Sequence, residues 1–139
     1  MQKFQDSIGW KKAMDLCEAV DIALEGNRNW GFRDQLFRAS LSICNNLAEG
    51  YEMPTTPHQL RYLWIAKGSC NEVISMLHLT KRRKYFKDED VDRMLGLTDE
   101  ISRLLRTYID NKSKGWRKIP GGATILFLWL SITTLIFVR

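Results

Sequence analysis

A handful of polar side chains sit where helices could gather them. Asn45, Asn46 and Glu49 fall within one helical turn, and Asn71 and Glu72 form a second group further along. Two glutamates meeting across a helix pair could hold a metal or move a proton. Bundles that bind two irons do so with Glu-x-x-His, but His58 and His78 are preceded three positions earlier by Thr55 and Ser75. Without those histidines no metal is expected. The polar groups read instead as a hydrogen-bond network fixing helix register, with Ala48, Gly50, Gly68 and Ser69 small enough for close backbone approach. Ser42 and Ser69 sit in the same packing motifs with no assignable base, and no Gly-rich phosphate loop occurs. Neither catalysis nor a cofactor is expected. Cys17, Cys44 and Cys70 are too widely spaced for a zinc knuckle or a redox Cys-x-x-Cys. Each lies in apolar helical surroundings and is expected to act as a small hydrophobe, in a reducing, cytoplasmic compartment. Met1 to Asp6 is polar, and no secretory signal is expected there.

The other chemistry available is phosphate binding. Lys81, Arg82, Arg83, Lys84 and Lys87 surround Tyr85 and Phe86, and Lys112, Lys114, Arg117 and Lys118 flank Trp116. Basic residues grip phosphates while aromatic faces stack on bases, and the net charge of +5 agrees in sign. The competing reading is that basic residues at a helix C-terminus merely complement its dipole. Asp88, Glu89, Asp90 and Asp92 also follow the first cluster closely and dilute it.

Four elements must carry these residues. Apolar positions at spacings of three and four predict a helix from Ser7 to about Glu25, along Trp10, Ala13, Met14, Cys17, Val20, Ala23 and Leu24, with Gly26-Asn27 as its stop. A second helix is predicted from Phe32 to about Glu49, ended by Gly50, and a Pro-containing loop follows. The third runs from Pro57, tolerated in a first turn, to Lys84, with Thr56 as its cap. The fourth opens on Asp88-Glu89-Asp90, acids at the positive helix end, and continues to about Asn111. Amphipathic helices with short connections predict an all-α, antiparallel up-down four-helix bundle over residues 1–112. Trp30, Phe32, Phe37, Tyr62 and Trp64 are equally placed to be core or to contact another subunit.

Residues 113–122 read as a basic linker ending in Pro120-Gly121-Gly122, and 123–139 as a hydrophobic tail. Ala123 to Val138 holds sixteen uncharged residues, short of the roughly 20 that span a bilayer. A membrane anchor flanked by basic residues is one reading, giving a membrane-associated protein. A segment that packs on the bundle, mediates self-association or is a non-native appendage is the other.

The most distinctive pattern is Gln35-Leu36-x-Arg38-Ala39-x-x-Ser42-Ile43-x-x-Asn46-Leu47-Ala48-Glu49-Gly50, echoed by Arg61-x-Leu63-x-Ile65-Ala66-Lys67-Gly68-Ser69-x-x-Glu72 and preceded by Phe4-x-Asp6 and Trp10-Lys11-Lys12-Ala13. It resembles a bacterial four-helix-bundle family often encoded in intervening sequences of large-subunit ribosomal RNA genes. Accessory proteins of diversity-generating retroelements are related to that family. The resemblance covers Phe4 to about Lys112 and makes Arg38, Ser42, Asn46, Glu49, Gly50, Gly68, Ser69 and Glu72 its structural signature. Cys44 stands where the family commonly has Pro, which implies a straighter second helix, and the tail lies outside the family's extent. The resemblance implies a small homo-oligomer, often a pentamer, and in the retroelement branch one that binds a reverse transcriptase and nucleic acid. The expected role is thus a non-enzymatic accessory protein that binds RNA or DNA, or a nucleic-acid enzyme, through basic surfaces. The alternative is a self-assembling scaffold without nucleic-acid contact, tethered to a membrane by its tail.

Overall fold

The structure, a computed structural model, describes residues 3–117. Lys118, the Pro-Gly-Gly segment and the hydrophobic tail, with the anchor reading that rests on it, lie outside the described residues. A short 3-10 turn, Phe4–Asp6, leads into α1 (Ile8–Leu24). The Asp6 carboxylate accepts from the Lys3 N–H at 3.2 Å, and Phe4 meets Trp10 edge-on. After α1 the chain turns through Gly26, whose φ of +75° lies in the region glycine adopts without strain. Asn29 then caps α2 (Trp30–Glu52), its side chain accepting from the Phe32 N–H at 3.2 Å.

Gly50 does not end α2. It lies inside the helix, buried, and α2 continues to Glu52. A Cβ placed on Gly50 would come within 3.0 Å of Tyr62 Cβ and 3.5 Å of the Gln59 carbonyl oxygen, so the glycine serves close approach between two helices. α2 also runs unbroken through Cys44. The loop to α3 (Thr56–Arg83) is closed by Gln59, whose Nε2 donates to the Met53 carbonyl at 2.7 Å. Thr55, not Thr56, occupies the cap position, with Pro57 in the first turn. α3 stops where Lys84 adopts a left-handed conformation, and α4 (Asp88–Arg117) begins on three acids. α4 carries on past Asn111 to Arg117, so residues 113–117, expected in a linker, are helical. No proline interrupts it before Pro120.

Successive helices pack side by side and α1 closes on α4, which makes an all-α, up-down four-helix bundle; no strand occurs among the described residues. The core threads all four helices through Leu16, Leu36, Ile43, Leu77, Ile101 and Leu105, each fully buried. Each such side chain contributes about 2 kcal/mol through removal from water. The buried sector of α1 is rotated from the one its spacing predicted: Leu16 is core, whereas Met14 is exposed. α1 packs against both α2 and α4, so its apolar stripe is wider than a single seam would require. Buried hydroxyls are satisfied by their own helices: Thr80 donates to the Met76 carbonyl at 2.9 Å and Thr98 to that of Met94 at 2.7 Å.

Candidate functional site

Part of the signature meets along the seam between α2 and α3. Ser42 Oγ and Ser69 Oγ lie 2.8 Å apart, and the Asn46 amide donates to the Ser42 carbonyl at 2.7 Å and to its hydroxyl at 3.1 Å. Ser69 also reaches back to the Ile65 carbonyl at 3.1 Å, and the Gln35 amide donates to Glu72. This is a register network between two helices. Glu49, expected within it, is exposed and has no hydrogen bond among the described residues. Arg38 points outward and pairs only loosely with Asp34 at 3.9 Å. Gly68 was expected to permit close approach, yet nothing lies within 4 Å of where its Cβ would be. Asn45, Asn71, Glu49 and Glu72 are all exposed, so they form no buried cluster. Among the described residues no group of three or more His, Cys, Asp or Glu side chains could hold a metal.

The basic residues separate into two sites at opposite ends of the bundle. From Asp88 to Lys114 along α4 is about 40 Å at 1.5 Å per residue. At the first end, Lys81 Nζ lies 2.5 Å from Asp92 and Lys84 Nζ 2.8 Å from Asp88. The Lys81 ammonium is pushed up by the hydrogen bond to Asp92, and the Asp88 carboxyl is held down by that from Lys84. Those two lysines are spoken for. Arg82, Lys87 and Arg93 are exposed and have no carboxylate partner among the described residues, and Arg83 lies over the Tyr85 ring at 5.9 Å. Tyr85 and Phe86 pack edge-on against Phe32, so their rings are partly committed to the core. A groove of about 480 Å³ opens beside them, bounded by Ile22, Tyr85, Lys84, Lys87, Asp90 and Arg93. At the other end Lys112 donates to Gln59 at 2.6 Å and Lys114 is exposed, with Arg117 closing the helix.

Of the aromatic candidates, Phe32 is core, Phe37 and Tyr62 are half-buried, and Trp30 and Trp64 are 74% and 53% exposed. His58 is exposed with Nδ1 2.8 Å from Thr55 Oγ1, and His78 is exposed on α3. A feature the residue pattern did not disclose lies between α1 and α2. Ser40 Oγ donates to Cys17 Sγ at 3.7 Å, and Cys44 Sγ donates to the Ser40 carbonyl at 3.8 Å. The one available signal was that Ser40 and Cys44, four apart, share a helix face; that Cys17 lies opposite is a tertiary fact.

A family model described as 23S rRNA-intervening sequence protein matches residues 5–107. The chain belongs to this family. A solved structure similar to this intervening-sequence protein is that of a protein of unknown function from the S23 ribosomal protein family of Bacteroides thetaiotaomicron. The two are 22% identical over 73% of this chain and 98% of that chain, with a TM-score of 0.69. That likeness is one of fold. No curated protein matches the chain. Neither description names a reaction. The first basic site falls inside the matched residues of this intervening-sequence protein, whereas Lys112, Lys114 and Arg117 fall beyond them.

Proposed function

We propose that this intervening-sequence protein is a non-enzymatic, self-associating accessory protein that holds nucleic acid by its phosphates. The observation that carries the reading is the uneven neutralisation of its basic end. Asp88 and Asp92 occupy Lys84 and Lys81, while Lys87 and Arg93 remain unmatched on the wall of a groove edged by Tyr85 and Arg82 is exposed in the last turn of α3. Unmatched cations on a rigid helix end bind polyanions by releasing counterions, which makes affinity fall with salt. The family's description names 23S rRNA, which makes RNA the first polyanion to try. Self-association would repeat the site and multiply its attraction.

Fluorescence anisotropy with single-stranded and duplex RNA, across a salt series, tests this. The parent should bind with a steep salt dependence. Replacing Arg82, Lys87 and Arg93 together by Ala should weaken binding at least tenfold and flatten the slope, since each lost phosphate contact removes roughly 0.7–0.9 from it. Lys81→Ala should do little. Absent or salt-independent binding overturns the proposal. The second reading, a scaffold without nucleic acid, is favoured by a different observation. Trp64 and Ile65 are 53% and 42% exposed on the outer face of α3, and Leu79 is exposed on the same helix. Light scattering on the full chain tests it, a strict monomer being the fatal result.

A further inference from the structure

The groove beside the first basic site has two walls of different character. One comes from α1, where Ile22 is 57% exposed although Val20 and Leu24 on the same helix are buried. Ala19 and Ala23, one turn apart, are small and leave room beside it. The other wall comes from α4 and the turn before it, where Lys87, Asp90 and Arg93 follow one another at intervals of three and all line the groove. Their charges run positive, negative, positive. Lys87 and Arg93 have no carboxylate partner, and Asp90, between them, has no hydrogen bond or ion pair among the described residues. Acids suit the positive end of a helix, but Asp88 and Glu89 already stand there. An acid on a wall built of cations opposes phosphate binding, so attraction for phosphate alone gives no reason for Asp90.

We propose that this groove seats one ribonucleotide of a single-stranded RNA, with its base against Ile22, its 2′-hydroxyl donating to Asp90 and the flanking phosphates on Lys87 and Arg93. The proposal rests on the phosphate-binding reading above and adds to it a preference for RNA over DNA. In a nucleic-acid strand each sugar lies between two phosphates, and the order Lys87, Asp90, Arg93 matches phosphate, sugar, phosphate. The rise from Asp90 to Arg93 is about 4.5 Å along the helix, a step that long cationic side chains can adjust on either side of the carboxylate. An ionised carboxylate only accepts hydrogen bonds. The donor that a strand offers at its sugar is the 2′-hydroxyl, which DNA lacks. The groove, of about 480 Å³, lies within the roughly 300–1,000 Å³ of small-ligand sites and has room for one unstacked nucleotide. A duplex keeps its bases stacked inside, so only a single strand can offer one. Tyr85 is already edge-on to Phe32, so apolar contact with Ile22 carries the base, and the seat is expected to select the sugar more than the base.

The experiment measures anisotropy with the full chain and short single strands of uridine, deoxyuridine and 2′-O-methyluridine, which share a base and a phosphate charge but of which only the first has the 2′-hydroxyl proton. The parent should bind the uridine strand about tenfold more tightly than the other two, the worth of one hydrogen bond to a charged group. Asp90→Ala separates two roles of the carboxylate by sign. Loss of a negative charge should tighten the deoxyuridine strand, while the uridine strand also loses its acceptor, so the preference should vanish. Ile22→Ser should weaken all three strands alike and leave the salt slope unchanged, since no charge is lost. Equal binding of the three strands by the parent, a preference that survives Asp90→Ala, or Ile22→Ser that binds as the parent does would each overturn the nucleotide seat while leaving the phosphate reading standing. Failure of every strand to bind would sink both. The preference of the parent decides even where a variant fails to fold.

Discussion

Gly50 and Gly68 belong to the same signature and lie on the same pair of packed helices, yet their circumstances are opposite. At Gly50 the α2 backbone comes so near α3 that an added Cβ would stand 3.0 Å from Tyr62 Cβ; at Gly68 an added Cβ would meet nothing within 4 Å. One glycine is required by the fold of a single chain. The other has no such reason within it. A motif shared by a family therefore mixes two demands, and the contact each residue makes separates them. Ser42, Asn46 and Ser69 fall with Gly50, since their hydrogen bonds are internal to the bundle. Gly68 falls with the exposed Arg38 and Glu49, on surface the bundle does not use.

The sharpest way to break that division is Gly50→Val. Tyr62 Cβ is fixed by its own helix and cannot retreat as a flexible side-chain tip could. Overpacking of this kind typically removes about 1–3 kcal/mol, and the β-branched side chain places the change at the upper end. Chemical denaturation should show it as a shift in midpoint. Unchanged stability would mean that the two helices move apart easily and that Gly50 is no different from Gly68.

The Ser42–Ser69 contact comes next. Ser42→Ala, Ser69→Ala and the double variant form a cycle whose coupling is expected to be about 1 kcal/mol, the usual net worth of a neutral hydrogen bond. Coupling near zero would reduce the network to incidental proximity and leave Gly50 alone in fixing the seam.

These contrasts also show what could be read from residues alone. The bundle could, because four apolar repeats with polar loops between them admit few other arrangements, and Pro57 and Asp88 mark helix starts by local chemistry. Gly50 was read both as the end of α2 and as a close-approach residue, and only the second holds, because glycine serves a positive φ after a helix or close approach within one and only the neighbouring helix decides between them. The end of α4 was placed too early because Asn111 to Lys114 is merely polar, and polarity does not stop a helix. The basic cluster was legible as composition, but its partial neutralisation by Asp92 reaches from α4 back to α3. The meeting of Ser40 with Cys17 is hidden for the same reason: it depends on which faces meet.

Gly68→Ala should move stability the other way. With open space around it and a helical backbone, alanine gains roughly 0.5–1 kcal/mol over glycine. If the outer face of α3 also meets another copy of the chain, the same substitution would stabilise the bundle while weakening its assembly, which light scattering at matched concentration would reveal. Loss of stability in a monomeric sample would put Gly68 back beside Gly50.

The smallest effect extends the comparison to the opposite seam. α2 and α3 are joined by a glycine contact, hydroxyls and the Gln35 amide donating to Glu72, none of them an ion pair, whereas α1 and α4 are bridged by the ion pair of Lys12 and Glu100 at 2.6 Å. The hydrogen bond and charge of Lys12 hold the Glu100 carboxyl below its usual value. A carboxyl whose folded value is depressed contributes stability above its unfolded value, about 4.3 for Glu, and loses that contribution as pH falls through the folded value. The pair is solvent-exposed, so the change should be slight. Acidification below about pH 4 should therefore lower amide protection factors, which correct for the slower intrinsic exchange in acid, first along the facing parts of α1 and α4, before the α2–α3 seam responds. Glu100→Gln should remove most of that difference between the two seams. Protection that falls evenly over all four helices would show that the bundle opens as one unit and that its seams differ in chemistry without differing in strength.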